Sequence, residues 1–427
     1  MNIRKVLFRN VSLLVIDKVI RAVYTLFVGA MIARHFGPEK FGFISITVTL
    51  VTILASFTNF GADGIVVKEL TIRPGLTSKI FGTIFLSRLA FCVIIYLFLI
   101  LYYYFFANYP REEIYVALII SSTLLFNFSD SFDLWFQSQL INHKTIIIKM
   151  VGLIATMALR YFFITKNTSL LIFSLSYLFE ALFSFFSMNF LFFRNRENRK
   201  IIYSTKILII IFKQSWPNLV SGLMIVLYMR IDQVMINFLL DKRDLGLFSA
   251  AIPFSTAIYF VPMALSVVLT PILSKIRAQS IERYLNLFKS IYTGIWILLI
   301  PYCVIMSLVS PYLIKLFYGN KYDGAEDVLR ILVYTAIPVS LGVVQGIWIV
   351  NEKLNNINLY KSIIGACSNV IFNFLLIPRF GIVGAAFSTL ISYFLSAMVS
   401  NLFFCRDVFF AQLPKFNRGL IYELLKL

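Results

Sequence analysis

Reactive and metal-binding side chains are scarce in this chain of 427 residues. It has two histidines, His35 and His143, and four cysteines, Cys92, Cys303, Cys367 and Cys405, none in a C-x-x-C pair. That argues against a His-based metal site, and the scattered cysteines read as small apolar residues that say little about redox compartment. No G-x-x-x-x-G-K-[ST], H-E-x-x-H or G-x-S-x-G occurs, so the usual ATP-loop, metalloprotease and hydrolase signatures are missing and no cofactor is implied. Charge is sparse as well, at 14% of residues, and the 20 Asp and Glu are outnumbered by 39 Lys and Arg.

What is abundant is apolar surface. Hydrophobic residues make up 59% of the chain and mean hydropathy is +0.85, far beyond soluble usage. The chain is therefore expected to be an all-α polytopic membrane protein. Apolar stretches of about 20 residues fall at 11–33, 41–63, 80–106, 114–136, 146–164 and 170–193, then at 216–240, 245–273, 291–317, 328–350, 362–377 and 382–404. These twelve spans predict two pseudo-symmetric six-helix lobes, at 1–193 and 216–404, with a basic linker at 194–215 and an interfacial tail at 405–427.

Loops on one side hold 23 Lys and Arg, with Lys149 and Lys361 at span ends counted among them, and those on the other hold 9. The richer side is taken as cytoplasmic, together with both termini. Anionic headgroups, rather than nucleic acid, then become the counter-charge for the net +19. The start, with Arg4, Lys5 and Arg9 among Ile3, Val6 and Leu7, predicts a short interfacial helix leading into a retained span rather than a cleaved leader. No loop is long enough to fold as a soluble catalytic module.

Two ungapped alignments suggest that the halves repeat. HFGPEKFGFISITV (35–48) lies over LLDKRDLGLFSAAI (239–252), matching Gly42 to Gly246, and KMVGLIATMALRYFFI (149–164) lies over KSIIGACSNVIFNFLL (361–376). Identities are few, but transporters are often built from such repeats with the site between them.

Ionised side chains at membrane depth are costly, so those inside the spans need a reason. The seventh span carries Arg230, Gln233 and Asn237 on one face and Tyr228 and Asp232 on a nearly opposite one. The first span carries Asp17, Lys18 and Arg21, with Asp17 and Arg21 at ion-pair spacing and an excess of positive charge. The fourth carries Asn127, Asp130, Asp133 and Gln137, and the sixth carries Ser176, Glu180, Ser184 and Ser187 at helical spacing. Each charge has a structural reading as a packing ion pair and a functional one. In the functional reading Lys18, Arg21, Arg230, Gln233 and Tyr228 bind an anionic, hydroxyl-rich substrate, and Asp17, Glu180 or Asp232 carries a coupling proton or cation. Asp63, Arg88, Arg160 and Arg330 fall near span ends and are expected to reach the interface.

Several stretches carry a family likeness: ARHFGPEKFGFISI, NFGADGIVVKEL, DLWFQSQLINHK, SGLMIVLYMRIDQVMI, DLGLFSAA and PRFGIVGAAFSTLISYFL. In these the chain resembles the repeat-unit flippases of O-antigen and capsule synthesis (Wzx type), within the multidrug, oligosaccharidyl-lipid and polysaccharide exporter superfamily. The resemblance implies alternating access and export of undecaprenyl-diphosphate-linked oligosaccharide from the cytoplasmic to the periplasmic face of the inner membrane. It also implies a lipid bilayer around the protein and a glycan polymerase and chain-length regulator as partners. It supplies no invariant catalytic set, and the protein is expected to be a transporter rather than an enzyme. Two alternatives stay open: a cation-coupled drug exporter of the same superfamily, and a membrane glycosyltransferase or polymerase, for which Glu112–Glu113 and Glu326–Asp327 are the adjacent acidic pairs.

Overall fold

The computed structural model describes residues 3–195 and 200–414, and among them every regular element is helical. In chain order these are α1 (Ile3–Thr58), α2 (Asp63–Ile72), α3 (Thr77–Phe105), α4 (Arg111–Ser121), α5 (Asp130–Ser138), α6 (His143–Thr165), α7 (Leu170–Asn195) and α8 (Thr205–Leu239). There follow α9 (Lys242–Thr256), α10 (Phe260–Gln279), α11 (Ile281–Tyr318), α12 (Ala325–Leu332), α13 (Ala336–Asn351), α14 (Asn355–Phe394), α15 (Asn401–Phe404) and α16 (Arg406–Gln412). Residues 196–199 of the expected linker, the expected tail beyond 414, and the side chains of 3–15 on which the amphipathic start rests lie outside the described residues.

Among the described residues, ten segments are long and apolar enough to cross a bilayer. At about 1.5 Å per residue, a hydrocarbon core of about 30 Å takes roughly 20 residues. Two of the ten, Ile16–Ile72 with 57 residues and Asn356–Phe404 with 49, are therefore too long to run straight. Each turns back at a glycine: Gly37 at φ 79° and Gly381 at φ 57°. Gly37 precedes Pro38, whose ring disfavours helical backbone in the residue before it, and a positive φ is open to glycine without steric cost. Counted as pairs of spans, these two bring the total to about twelve, as the apolar periodicity predicts.

Two compact units share the chain. One comprises Met1–Tyr24 and Ile44–Val226, the other Thr25–Phe43 and Leu227–Leu427, so α1 and α8 each contribute to both. The first unit is cored by aromatic rings: Phe81 of α3 lies 4.5 Å from Phe192 of α7 and 5.8 Å from Phe132 of α5. In the second, Tyr284, Phe288 and Tyr292 of α11 pack in one buried cluster with Leu341 and Val344 of α13. Large apolar side chains such as Phe98, Leu298, Leu308 and Phe403 stand more than half exposed, as lipid-facing residues do.

Among the described residues three spans are locally rewound into 3₁₀ helix, one of them at Ala257–Tyr259 between α9 and α10. Between α4 and α5, residues Ser122–Ser129 form an eight-residue 3₁₀ stretch, longer than such helices usually run, and between α12 and α13 a short one covers Val333–Thr335. Within the second unit, the corner after Gly37 lies on α9 through two glycines. A Cβ on Gly42 would fall 1.8 Å from the Lys242 carbonyl oxygen, and one on Gly246 would fall 2.0 Å from that of Pro38. The alignment that matches 42 to 246 also matches 38 to 242, so the two contacts are reciprocal.

Candidate functional site

The first unit holds a polar cavity of about 530 Å3 walled by membrane-length helices. From α1, Asp17 and Arg21 enter as an i,i+4 pair, with Nε 2.9 and 3.1 Å from the two carboxylate oxygens. The 3₁₀ stretch presents Thr123, Phe126, Asn127 and Ser129, and the first turn of α5 supplies Asp130 and Asp133, where helix N-termini favour acids. Lys149 of α6 reaches both carboxylates, at 3.3 and 2.9 Å, and the Thr145 hydroxyl donates to Asp133. Tyr177, Glu180 and Ser184 of α7 complete the wall.

Behind Glu180 stands Arg160, which sequence reasoning placed at the interface and the structure buries. Its Nε donates to Ser176 Oγ (3.1 Å), Nη1 to the Tyr24 hydroxyl (2.6 Å), and Nη2 lies 3.6 Å from Glu180, with the guanidinium 4.2 Å from the Tyr177 ring centroid. Arg88 is corrected in the same way: it is 1% exposed and bound to Asp63 at 2.5 Å instead of reaching the headgroups. Hydropathy windows locate a residue along a span but not around it, and both arginines face inward.

Asp17, Arg21 and Glu180 are thus brought together, whereas Lys18 is exposed on α1 and does not line the cavity. The excess of positive charge expected from the first span is reversed. The lining has four carboxylates and two bases, because α5 adds two acids and Lys18 turns away. Every one of those carboxylates nevertheless has a basic partner: Arg21, Lys149 or Arg160. A paired, hydrogen-bonding wall of this kind suits hydroxyl-bearing ligands, which can exchange donors and acceptors with it.

In the second unit, Asp232 of α8 is buried at 3% exposure. It accepts from Asn373 Nδ2 (2.6 Å) and Thr389 Oγ1 (2.7 Å), and Asn373 in turn donates to Asn369 Oδ1 at 3.0 Å. The asparagines stand one turn apart before the Gly381 corner of α14 and Thr389 stands after it, so the corner assembles the niche. Among the described residues no base pairs with Asp232, and an enclosed carboxylate without one needs a proton or a cation beside it. Arg230, two residues earlier, is half-buried and makes no hydrogen bond or ion pair among the described residues. Tyr228 packs edge-on to Tyr393 at 5.2 Å, and Gln233 is buried.

A third polar cluster escaped the sequence reading, which counted Lys361 as a loop residue. Its ammonium is buried, donating to Gln345 Oε1 and, at 3.5 Å, to the Ala397 carbonyl. Gln345 donates to Asn401 Oδ1 (2.6 Å), Asn401 to Gln412 Oε1 (2.8 Å), and Gln412 back to the Ala397 carbonyl (3.1 Å). Ala397 lies in a π-helical turn, Leu395–Val399, whose wider winding leaves carbonyls available to side chains. The one sequence signal was the alignment of Lys361 with Lys149.

Comparison with known proteins fits this architecture. The fold is shared with a multidrug resistance MATE family transporter of the MOP superfamily in an inward-facing conformation, at TM-score 0.69 and 14% identity over 91% of this chain and 94% of that one. It is shared equally with the lipid II flippase MurJ in an inward closed conformation, at TM-score 0.68 and 16% identity over 96% and 94%. In sequence, the chain is 29% identical over 182 residues to the capsular polysaccharide biosynthesis protein CapF of Staphylococcus aureus, covering 42% of this chain and 45% of that one. It is 26% identical over 166 residues to the uncharacterized membrane protein MJ1068 of Methanocaldococcus jannaschii, covering 38% and 31%. Each match spans less than half the length of the relative. A family model described as polysaccharide biosynthesis protein matches residues 31–327, most of the chain, and this membrane protein of transporter fold belongs to that family.

Proposed function

We propose that the protein is a flippase that moves undecaprenyl-diphosphate-linked oligosaccharide units across the inner membrane, from cytoplasm to periplasm, for O-antigen or capsule synthesis. The observation that carries this reading is the cavity of about 530 Å3, walled by spanning helices and lined by paired acids, bases and amides. Such a lining accepts sugar hydroxyls where lipid would not. Arg21 at the cavity wall and Arg230, which has no hydrogen-bond or ion-pair partner among the described residues, are each assigned to the diphosphate in place of water, and Gln233 and Tyr228 to the sugars; the polyprenyl chain stays in lipid. Outward movement of negative charge gains roughly 2.3 kcal/mol per 100 mV, so two charges gain about 4 to 5. Asp232, in its niche of neutral donors, takes the coupling proton or cation, with Asp17 and Glu180 as further carriers. A glycan polymerase and a chain-length regulator act on the exported units.

One observation favours a second reading, export of an organic cation: acids outnumber bases in the cavity lining. Their pairing to Arg21, Lys149 and Arg160 weighs against it, since a cation would have to displace a tethered base. The acidic pairs expected of an enzyme sit in first helical turns, where Glu326 accepts from the Gly324 amide (2.9 Å) and Asp327 pairs with Arg330 (2.7 Å). Those are helix-start roles.

The test is to delete the chromosomal gene, locate the lipid-linked units, and restore wild type, Arg230→Gln or Asp232→Asn. Complete single units should accumulate at the cytoplasmic face, be cleared by wild type, and persist with both variants at equal protein levels. Unpolymerised units at the outer face would refute the flippase reading, and clearance by Arg230→Gln would remove that residue from the site.

A further inference from the structure

The first unit has a second hollow, of about 550 Å3, that shares no lining residue with the polar cavity. Its walls are Leu86, Ala90 and Phe91 of α3, Phe60 from the turn after α1, and Ile209 and Phe212 of α8. Phe60 meets Phe91 edge-on at 4.8 Å and Phe212 at 6.5 Å, so three elements share one aromatic surface. The segment entering α8 is fixed against α3: the Ile202 amide donates to the Ser78 carbonyl (3.2 Å) and the Ser204 amide to Thr83 Oγ1 (3.0 Å). Gly82 permits this approach, because a Cβ there would stand 2.5 Å from the Ile202 nitrogen. The hollow is therefore a built feature of the unit.

Two observations describe what fits it. Ser87 lines the hollow at 7% exposure, and its hydroxyl has no hydrogen-bond partner among the described residues. Serines in membrane helices ordinarily bond back to their own backbone, so this one is a buried donor left unsatisfied at the wall of the hollow. At the rim, Lys213 stands exposed, with Lys206 exposed two turns earlier on the same face of α8, and among the described residues no carboxylate lines the hollow. Tyr203 and Trp216, both about half exposed, flank this stretch of basic residues as aromatics at the headgroup level do.

We propose that this hollow binds one anionic phospholipid of the surrounding membrane. Its phosphate sits at Lys206 and Lys213, an ester carbonyl accepts from Ser87 Oγ, and one acyl chain lies over Phe60, Phe91 and Phe212. The serine decides the class of lipid: a polyprenyl phosphate offers the same phosphate and an apolar chain but no ester carbonyl. The bound lipid holds the start of α8 to α3 and is not cargo.

Native mass spectrometry of the full-length protein in detergent, titrated separately with phosphatidylglycerol, phosphatidylcholine and polyprenyl phosphate, tests this. Phosphatidylglycerol should be retained in preference to phosphatidylcholine, and Lys206→Gln with Lys213→Gln should weaken it about 30-fold. Ala90→Phe, which fills the hollow and leaves both lysines, should abolish retention. Ser87→Ala should weaken phosphatidylglycerol about fivefold and leave polyprenyl phosphate unchanged. Equal retention of the two phospholipids, or indifference to the lysines, would rule out headgroup recognition. Full retention by Ala90→Phe would reduce the site to surface charge, and tighter binding of polyprenyl phosphate that competes phosphatidylglycerol away would give the hollow to the carrier lipid; either overturns the proposal.

Discussion

Lys149 in the first unit and Lys361 in the second occupy matched positions of the two aligned stretches, and each bonds a side chain 16 residues earlier. In the first that partner is Asp133, with Asp130 beside it; in the second it is Gln345. One geometry thus serves two environments. Lys149 balances carboxylates at the wall of a hollow, while Lys361 is sealed among neutral oxygens and tied through Asn401 and Gln412 to the end of α16. The comparison teaches that a repeat preserves where a side chain reaches more readily than what it meets. The chemistry of each half is set by the partner, not the lysine.

Removing the lysines one at a time should separate the two environments. Lys149→Met leaves Asp130 and Asp133 without a base. Loss of one partner from an enclosed ion pair costs about 3–5 kcal/mol, and this pair is partly solvated, so about 2 kcal/mol is expected. The thermal unfolding midpoint in detergent should fall accordingly and be largely restored in Lys149→Met with Asp130→Asn and Asp133→Asn. Gln345→Glu gives Lys361 the carboxylate its counterpart already has. A charge-assisted bond replacing a neutral acceptor should raise the midpoint, by about 1 kcal/mol. An unchanged midpoint would mean that the Lys361 amine carries no charge in the folded protein. Lys361→Met should have the smallest effect, within about 1 kcal/mol of wild type, because it withdraws a charge and leaves no opposite charge behind. A loss as large as that of Lys149→Met would erase the distinction between the two sites.

Much of the fold was legible because membrane spans are set by length and apolarity, and the breaks between spans at 34–40 and 378–381 contain Gly37 and Gly381, which the structure places at positive φ. The Asp17–Arg21 pair and the stripe containing Glu180 followed from helical spacing within one element. What escaped were contacts between elements. Arg160 reaches back to Tyr24, 136 residues away, and no periodicity within α6 reports that. Counting basic residues by loop assigned Lys149 and Lys361 to the surface because both stand near span ends, where depth and facing direction part company. The sign of the cavity was missed for the same reason: it depends on which way Lys18 turns and on acids from α5, not on the first span alone.

The reciprocal seat of Gly42 on Lys242 and Gly246 on Pro38 has the form of an isologous interface, in which residue i meets j and j meets i. In a pair of identical chains any mutation there is imposed on both sides at once, and the surface must remain complementary to itself. Here the two sides are written separately in one polypeptide. Each glycine must be kept for its own neighbour, but the residues opposite are free to part, as Pro38 and Lys242 already have. The contact keeps the geometry of a dimer while its halves evolve as strangers.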